Sequence, residues 1–239
     1  MLELHPATRA LRRSLFKSLA AGALVGAGWP ALIRQALAAG GSPQRQQGIY
    51  RLEGEVTFNG RTRKVGEALS LPLTVVTGPN SLLVFVLGAD AYLLRANSHL
   101  ILTGSGGQAS SRVADITLLA GKLLSVFAPG KRRMTTTTAV AGIRGTGLYL
   151  ESEAERSYLC LCYGTADIGP LAAPHVLERL HTTHHESPRW IYRDHMEAAA
   201  LINHSDAELI LLESLVGRVP PFSPQWGEGI LSDLSRKRY

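Results

Sequence analysis

The punctuation between Gly48 and Ile168 constrains this fold more than any other feature. Its apolar runs are short, rich in Val, Leu, Phe and Tyr, and broken by turn residues: Asn59-Gly60, Gly78-Pro79-Asn80, Gly88-Ala89-Asp90, Asn97-Ser98, Gly121 and Pro129-Gly130. Most of these runs are too short for helices. Asn-Gly is a strong hairpin dipeptide, because both central positions of a type I′ turn need positive φ. The run Thr135 to Thr138 is β-branched, and side chains stiff at χ1 favour strands over helices. Turns at this spacing predict an all-β sandwich or β-coil rather than alternating strands and helices.

After Pro170 the texture changes, and a helical appendage is predicted over 170–217. "APHVLERLHTTHH" reads as one helix, with Pro174 tolerated at its start because the missing N–H would be unpaired there anyway. "YRDHMEAAALINH" reads as a second. "SDAELILLESLVGR" reads as a third: Ser205 and Glu208 form a capping box, Gly217 supplies the stop, and Leu209, Leu212 and Val216 recur at helical spacing to pack on the sheet. The Pro-rich, then polar, tail over 218–239 reads as a segment that wraps the surface or frays. The fold class is therefore mainly β with a helical C-terminal appendage.

The first 38 residues read as an address. Arg12 and Arg13 precede Ser14-Leu15-Phe16-Lys17, an Ala- and Gly-rich apolar run and the small-residue triplet Ala36-Leu37-Ala38. A basic head, a short apolar middle and an A-x-A end form an export signal, and the paired arginines resemble the twin-arginine class. A membrane span needs about 20 apolar residues. This run is shorter and is interrupted by Gly26, Gly28 and Pro30. Cleavage is expected after Ala38, giving a periplasmic product with no stable membrane span. The leader holds Arg9, Arg12, Arg13, Lys17 and Arg34 against Glu3, so +4 of the chain's formal +6 belongs to it and +2 remains. No basic patch argues for nucleic acid.

The two cysteines, Cys160 and Cys162, sit in "YLCLCYG". On a strand both point to one side with Tyr158, while Leu159 and Leu161 point to the other. Six of the eight histidines lie downstream: His175, His181, His184, His185, His195 and His204. On the expected first helix His181, His184 and His185 would share a face. If that helix docks beside the thiols, two sulfurs and one or two imidazoles converge in a set suited to zinc or copper. Two other readings stand beside it. The thiols could be buried core residues. They could also form a strained disulfide, which export would favour and same-strand geometry would oppose.

The stretch "TTTTAVAGIRGTGLYLE", Thr135 to Glu151, is the most distinctive in the chain. Arg144 is held between Gly142 and Gly145, where it reads either as a clamp at a tight corner or, with Thr146 beside it, as an anion-binding group. The stretch resembles the signature of the FecR domain, the periplasmic part of iron-dicitrate-type transport regulators. The matching residues are Thr136, Thr138, Ala139, Val140, Gly142, Arg144, Gly145 and Thr146, followed by "CYGTADI". Upstream, "TGPNSLLVFVLGADAYLLRANSHLIL" and "LLAGKLLSVF" resemble the earlier strands of that domain, so the likeness spans roughly 48–168. It implies a FecR-like β core acting as a ligand-binding, sensory or regulatory module, with a protein of the cell envelope as its partner. Family regulators carry a cytoplasmic anti-sigma segment and one membrane span. Here an export leader stands in their place, which argues against an anti-sigma role.

No enzyme signature emerges. His204, Asp206 and a serine could be drawn as a triad, but no G-x-S-x-G elbow exists. The glycine-rich "GSGGQASS" lacks the Gly-Lys-Thr/Ser ending of a phosphate loop. Two functions follow: a periplasmic ligand-binding, sensory or regulatory module, or a metal-binding or redox-active protein using the Cys-x-Cys strand and the histidines.

Overall fold

The computed structural model describes residues 47–104 and 112–223. The expected export signal, with Arg12, Arg13, Ala36 and Ala38, lies outside them, as do the end of the tail and most of the glycine-rich loop. The chain is mainly β. It forms β1 (Gly48–Glu53), β2 (Val56–Phe58), β3 (Leu73–Thr77), β4 (Leu82–Leu87), β5 (Asp90–Leu94), β6 (His99–Gly104) and β7 (Val113–Val126). There follow β8 (Lys131–Thr135), β9 (Ala139–Arg144), β10 (Gly147–Ser152), β11 (Ser157–Pro170), β12 (Glu178–Thr182), β13 (Arg189–Ile191), β14 (Met196–Ala198) and a helix α1 (Asp206–Leu215). Among the described residues no helix is long and apolar enough to cross a membrane.

Two sheets share the two longest strands. Residues 121–126 of β7 and 157–163 of β11 flank β10 in the first sheet, which runs β1-β4-β5-β7-β10-β11-β13-β14. The other halves enter the second sheet, β2-β3-β6-β7-β8-β9-β11-β12, in which β7 and β8 form the single parallel pair among the described residues. Each long strand changes sheet at a glycine in the left-handed region, Gly121 at φ +90° and Gly164 at φ +99°. A Cβ at Gly121 would lie 2.5 Å from the Cα of Ser98, and one at Gly164 would lie 2.8 Å from the carbonyl oxygen of Gly145. Only a residue without a side chain fits either corner.

Strand alternation divides the core in two. Leu148, Leu150, Leu159 and Leu161 join the cluster between the sheets. Tyr149, Tyr158, Cys160 and Cys162 face the other side of the first sheet, where Leu209 and Leu212 of α1 and Val216 at its C-cap cover them. The third expected helix therefore forms with its capping box and packs as its spacing predicts.

The first two expected helices do not form. Glu178–Thr182 is a strand with Leu180 and Thr182 buried and Arg179 and His181 exposed, so the pattern has period 2. It extends β11 along Gly164 to Ile168, where an open strand edge offers ladder hydrogen bonds that outweigh local helix preference. Arg189–Ile191 and Met196–Ala198 pair as a hairpin closed by Tyr192 N–H donating to the His195 carbonyl at 2.9 Å. Its alanines gave the segment a helical texture, but the hairpin adds to the free edge of β11 beside Ser157 to Leu159.

Candidate metal centre

The site grows from a gap along β11. One edge of that strand is covered by β13 only as far as Leu159, and by β12 only from Gly164. The carbonyls between them are met by the end of β12 and the loop after it. Thr182 Oγ1 donates to the Leu161 carbonyl at 2.8 Å, and the His185 N–H donates to the Cys162 carbonyl at 3.0 Å. Glu186 shapes that loop, accepting from the N–H groups of Thr183 and His184. The Thr183 hydroxyl, which also donates to it, and then these N–H groups hold its carboxyl well below the usual carboxylate range. His185 itself takes φ +60°, which turns its ring back over the thiols.

His204 arrives from the turn before α1. Asn203, at φ +56°, donates its side-chain amide to Glu151 at 2.7 Å, and the His204 ring stacks on Tyr149 at 4.4 Å. Its Nδ1 lies 2.7 Å from the Ile202 carbonyl. A carbonyl only accepts, so Nδ1 carries the proton and Nε2 presents a lone pair inward. His185 is oriented the same way from the opposite ring atom: Nε2 lies 3.1 Å from Asp206 Oδ1, leaving Nδ1 to face the thiols. Burial alone would push the Asp206 carboxyl up, yet His184 and His185 hold it below its ordinary value.

Four donors therefore converge, one ligand atom each from Cys160, Cys162, His185 and His204, all within 4.8 Å of one another. Cys160 Sγ lies 3.4 Å from His185 Nδ1, Cys162 Sγ lies 3.5 Å from His204 Nε2, and the two ring nitrogens are 3.2 Å apart. Tetrahedral zinc, with bonds of about 2.3 Å to sulfur and about 2.05 Å to nitrogen, sets edges of about 3.5 Å for N···S and about 3.3 Å for N···N. These three separations match the corresponding edges, and the other three lie within 4.8 Å. Two inward lone pairs 3.2 Å apart also repel unless a proton or cation lies between them. Both thiols are free and fully buried. The hydrogen bond from the Cys162 thiol stabilises a thiolate on Cys160, while burial and that neighbouring charge push the Cys162 thiol up.

Cys160, His185 and Asp206 could also be drawn as nucleophile, base and orienting acid. The burial of Cys160 denies a substrate access to the sulfur. A cavity of about 400 Å³ lined by Asp90, Arg112 and Arg132 includes none of the four donors.

Not every expected site residue gathers here. His181 projects from β12 toward Thr165 Oγ1 at 3.1 Å, and His184 lies outside the four-donor set, with Nε2 2.9 Å from Asp206. The shared helical face expected for His181, His184 and His185 does not exist, because the segment is strand and loop. His204, which completes the set, was absent from the expected ligands; only its nearness to a helix cap marks it in sequence. Arg144 and Thr146 are separated by the sheet. The Arg144 side chain is 56% exposed and 3.9 Å from Asp167, whereas Thr146 is fully buried with its hydroxyl unpartnered among the described residues.

No protein-family model matches the chain, and no curated protein matches it. Among solved structures, the chain is similar to two crystal structures of a candidate anti-sigma factor from Parabacteroides distasonis. The sequence identities are 9% and 10%, with a TM-score of 0.43 for each. The likeness covers 53% of this chain and 58% of those chains. The chain thus spans less than two thirds of the solved proteins it matches.

Proposed function

We propose that this chain is an exported, FecR-like binding module of the cell envelope whose ligand is a metal ion, zinc first, held by Cys160, Cys162, His185 and His204. The observation that carries the reading is the convergence of four donors, three of whose separations equal edges of a zinc tetrahedron. Charge supports zinc over copper(I). Two thiolates neutralise a divalent ion, whereas a monovalent one would leave a net negative charge in a buried site. Asp206 and the Ile202 carbonyl supply the outer partners that metal-bound imidazoles ordinarily have. A closed four-donor set leaves no coordination position for water, so the ion would act as a cross-link rather than a Lewis acid. It would join the middle of β11 to the two segments that follow β12 and β14.

Metal analysis of the full protein purified from the periplasm tests this. About one zinc per chain is expected, lost in the Cys160→Ser, Cys162→Ser double variant. Copper in its place would correct the ion. Absence of metal, or full metal content in the double variant, would overturn the centre. The address is tested separately: Arg12→Lys with Arg13→Lys should abolish export, and unchanged export would refute a twin-arginine signal.

A further inference from the structure

The four donors are buried, so an ion needs a path to them. His185 alone joins inside to outside. Its Nδ1 faces Cys160 and His204, while its Nε2 faces Asp206. Asp206 also meets His184 Nε2, at 2.9 and 3.0 Å from its two carboxylate oxygens. The side chains of His184 and Asp206 are 46% and 48% exposed, against 7% for His185. His184, His185 and Asp206 thus form a second cluster of three metal-ligating groups at the surface, sharing one imidazole with the buried set. Phe222 stacks on His184 with centroids 4.4 Å apart and lies 6.1 Å from His185.

We infer that His184, Asp206 and the outward nitrogen of His185 form a loading site that captures a hydrated divalent ion and passes it to the buried centre. The inference rests on the metal-centre reading. An ion entering a four-donor site sheds its waters stepwise, and ligands that replace them one at a time shorten each step. The surface cluster offers two imidazoles and a carboxylate, a set that suits zinc without the thiolates that would trap it. Transfer is then an exchange of ligands at one ion. His184 and Asp206 release it as Cys160, Cys162 and His204 bind, and the Cys162 thiol gives its proton up to solvent. His185 turns from Nε2 to Nδ1 coordination as its ring proton moves from Nδ1 to Nε2, where Asp206 accepts its hydrogen bond. Phe222 stacks on the His184 ring and so holds its orientation.

The test compares zinc loading of the metal-free full chain, and zinc withdrawal by a chelator, in wild type and two variants. In His184→Ala the donor and the stack on Phe222 are both removed. His184→Phe retains an aromatic ring and removes only the donor. Both variants should hold one zinc per chain at equilibrium but load and release it more slowly, by about tenfold or more. Unchanged rates would overturn the loading site, as would slowing in His184→Ala alone, which would assign the effect to the stack. Loss of equilibrium binding in His184→Phe would make His184 a ligand of the resident ion and also overturn the inference. Absence of zinc from the wild type would instead refute the centre itself.

Discussion

At the scale of single residues, the geometry separates histidines that the sequence lists together. His204 is committed to an inward Nε2 by one carbonyl, and its ring is held flat against Tyr149. His181 lies on the second sheet with a hydroxyl for company. His204→Ala should therefore lower zinc affinity by well over tenfold, while His181→Ala leaves it unchanged, as measured by competition with a chelating dye. Equal losses would show that the ligand set is drawn wrongly. Gly121 belongs to the same scale. Gly121→Ala forces a Cβ against the backbone of Ser98 in a left-handed conformation, and should cost about 2 kcal/mol or more in urea unfolding. A neutral result would mean that the corner of β7 can relax.

At the scale of elements, α1 shows how a short helix is fixed from both ends. Ser205 donates its N–H and hydroxyl to Glu208, which also takes Arg95 at 2.8 Å. At the other end Glu213 receives the Tyr163 hydroxyl and pairs with Arg218 at 2.6 Å. Ser205→Ala should cost about 1 kcal/mol. Because His204 and Asp206 flank the cap, the same variant should also weaken zinc binding. A stability loss with unchanged affinity would separate the cap from the centre. The capping box and the apolar stripe of this helix were legible in sequence, since both are local. The segments before it were misread because their partner, the open edge of β11, lies elsewhere in the chain. Leu180 and Thr182 alternate as strand residues, but five residues flanked by Pro174 and histidines give too weak a period to announce it.

At the scale of the whole molecule, a buried ion pair joins the two sheets and the proposed metal would join distant segments. Asp90 at the start of β5 and Arg132 on β8 form a buried two-point ion pair, at 2.8 and 3.0 Å, that ties one sheet to the other. Asp90→Ala leaves a buried guanidinium unpaired and should destabilise the fold by about 3–5 kcal/mol. A loss near zero would show that Arg132 finds water or another acceptor. The proposed zinc would be the second link. Saturating zinc at a hundredfold excess over its dissociation constant adds about 2.7 kcal/mol, so chelation should lower the melting temperature by roughly 5–10 °C. No shift would mean that the segments after β11 are held by packing alone.

The sequence by itself determined the β character of residues 48–168, the placement of Cys160 and Cys162 on one side of their strand, and helix α1. Each follows from short-range physics: turn residues that need positive φ, alternation along a strand, and a cap three residues from its partner. Tertiary structure decided which imidazoles meet the thiols. His185 reaches them because β12 and β13 leave a gap along β11, and His204 because the turn before α1 lands on Tyr149. A metal centre depends on distances across segments far apart in the chain, and side-chain spacing along one element carries no information about them.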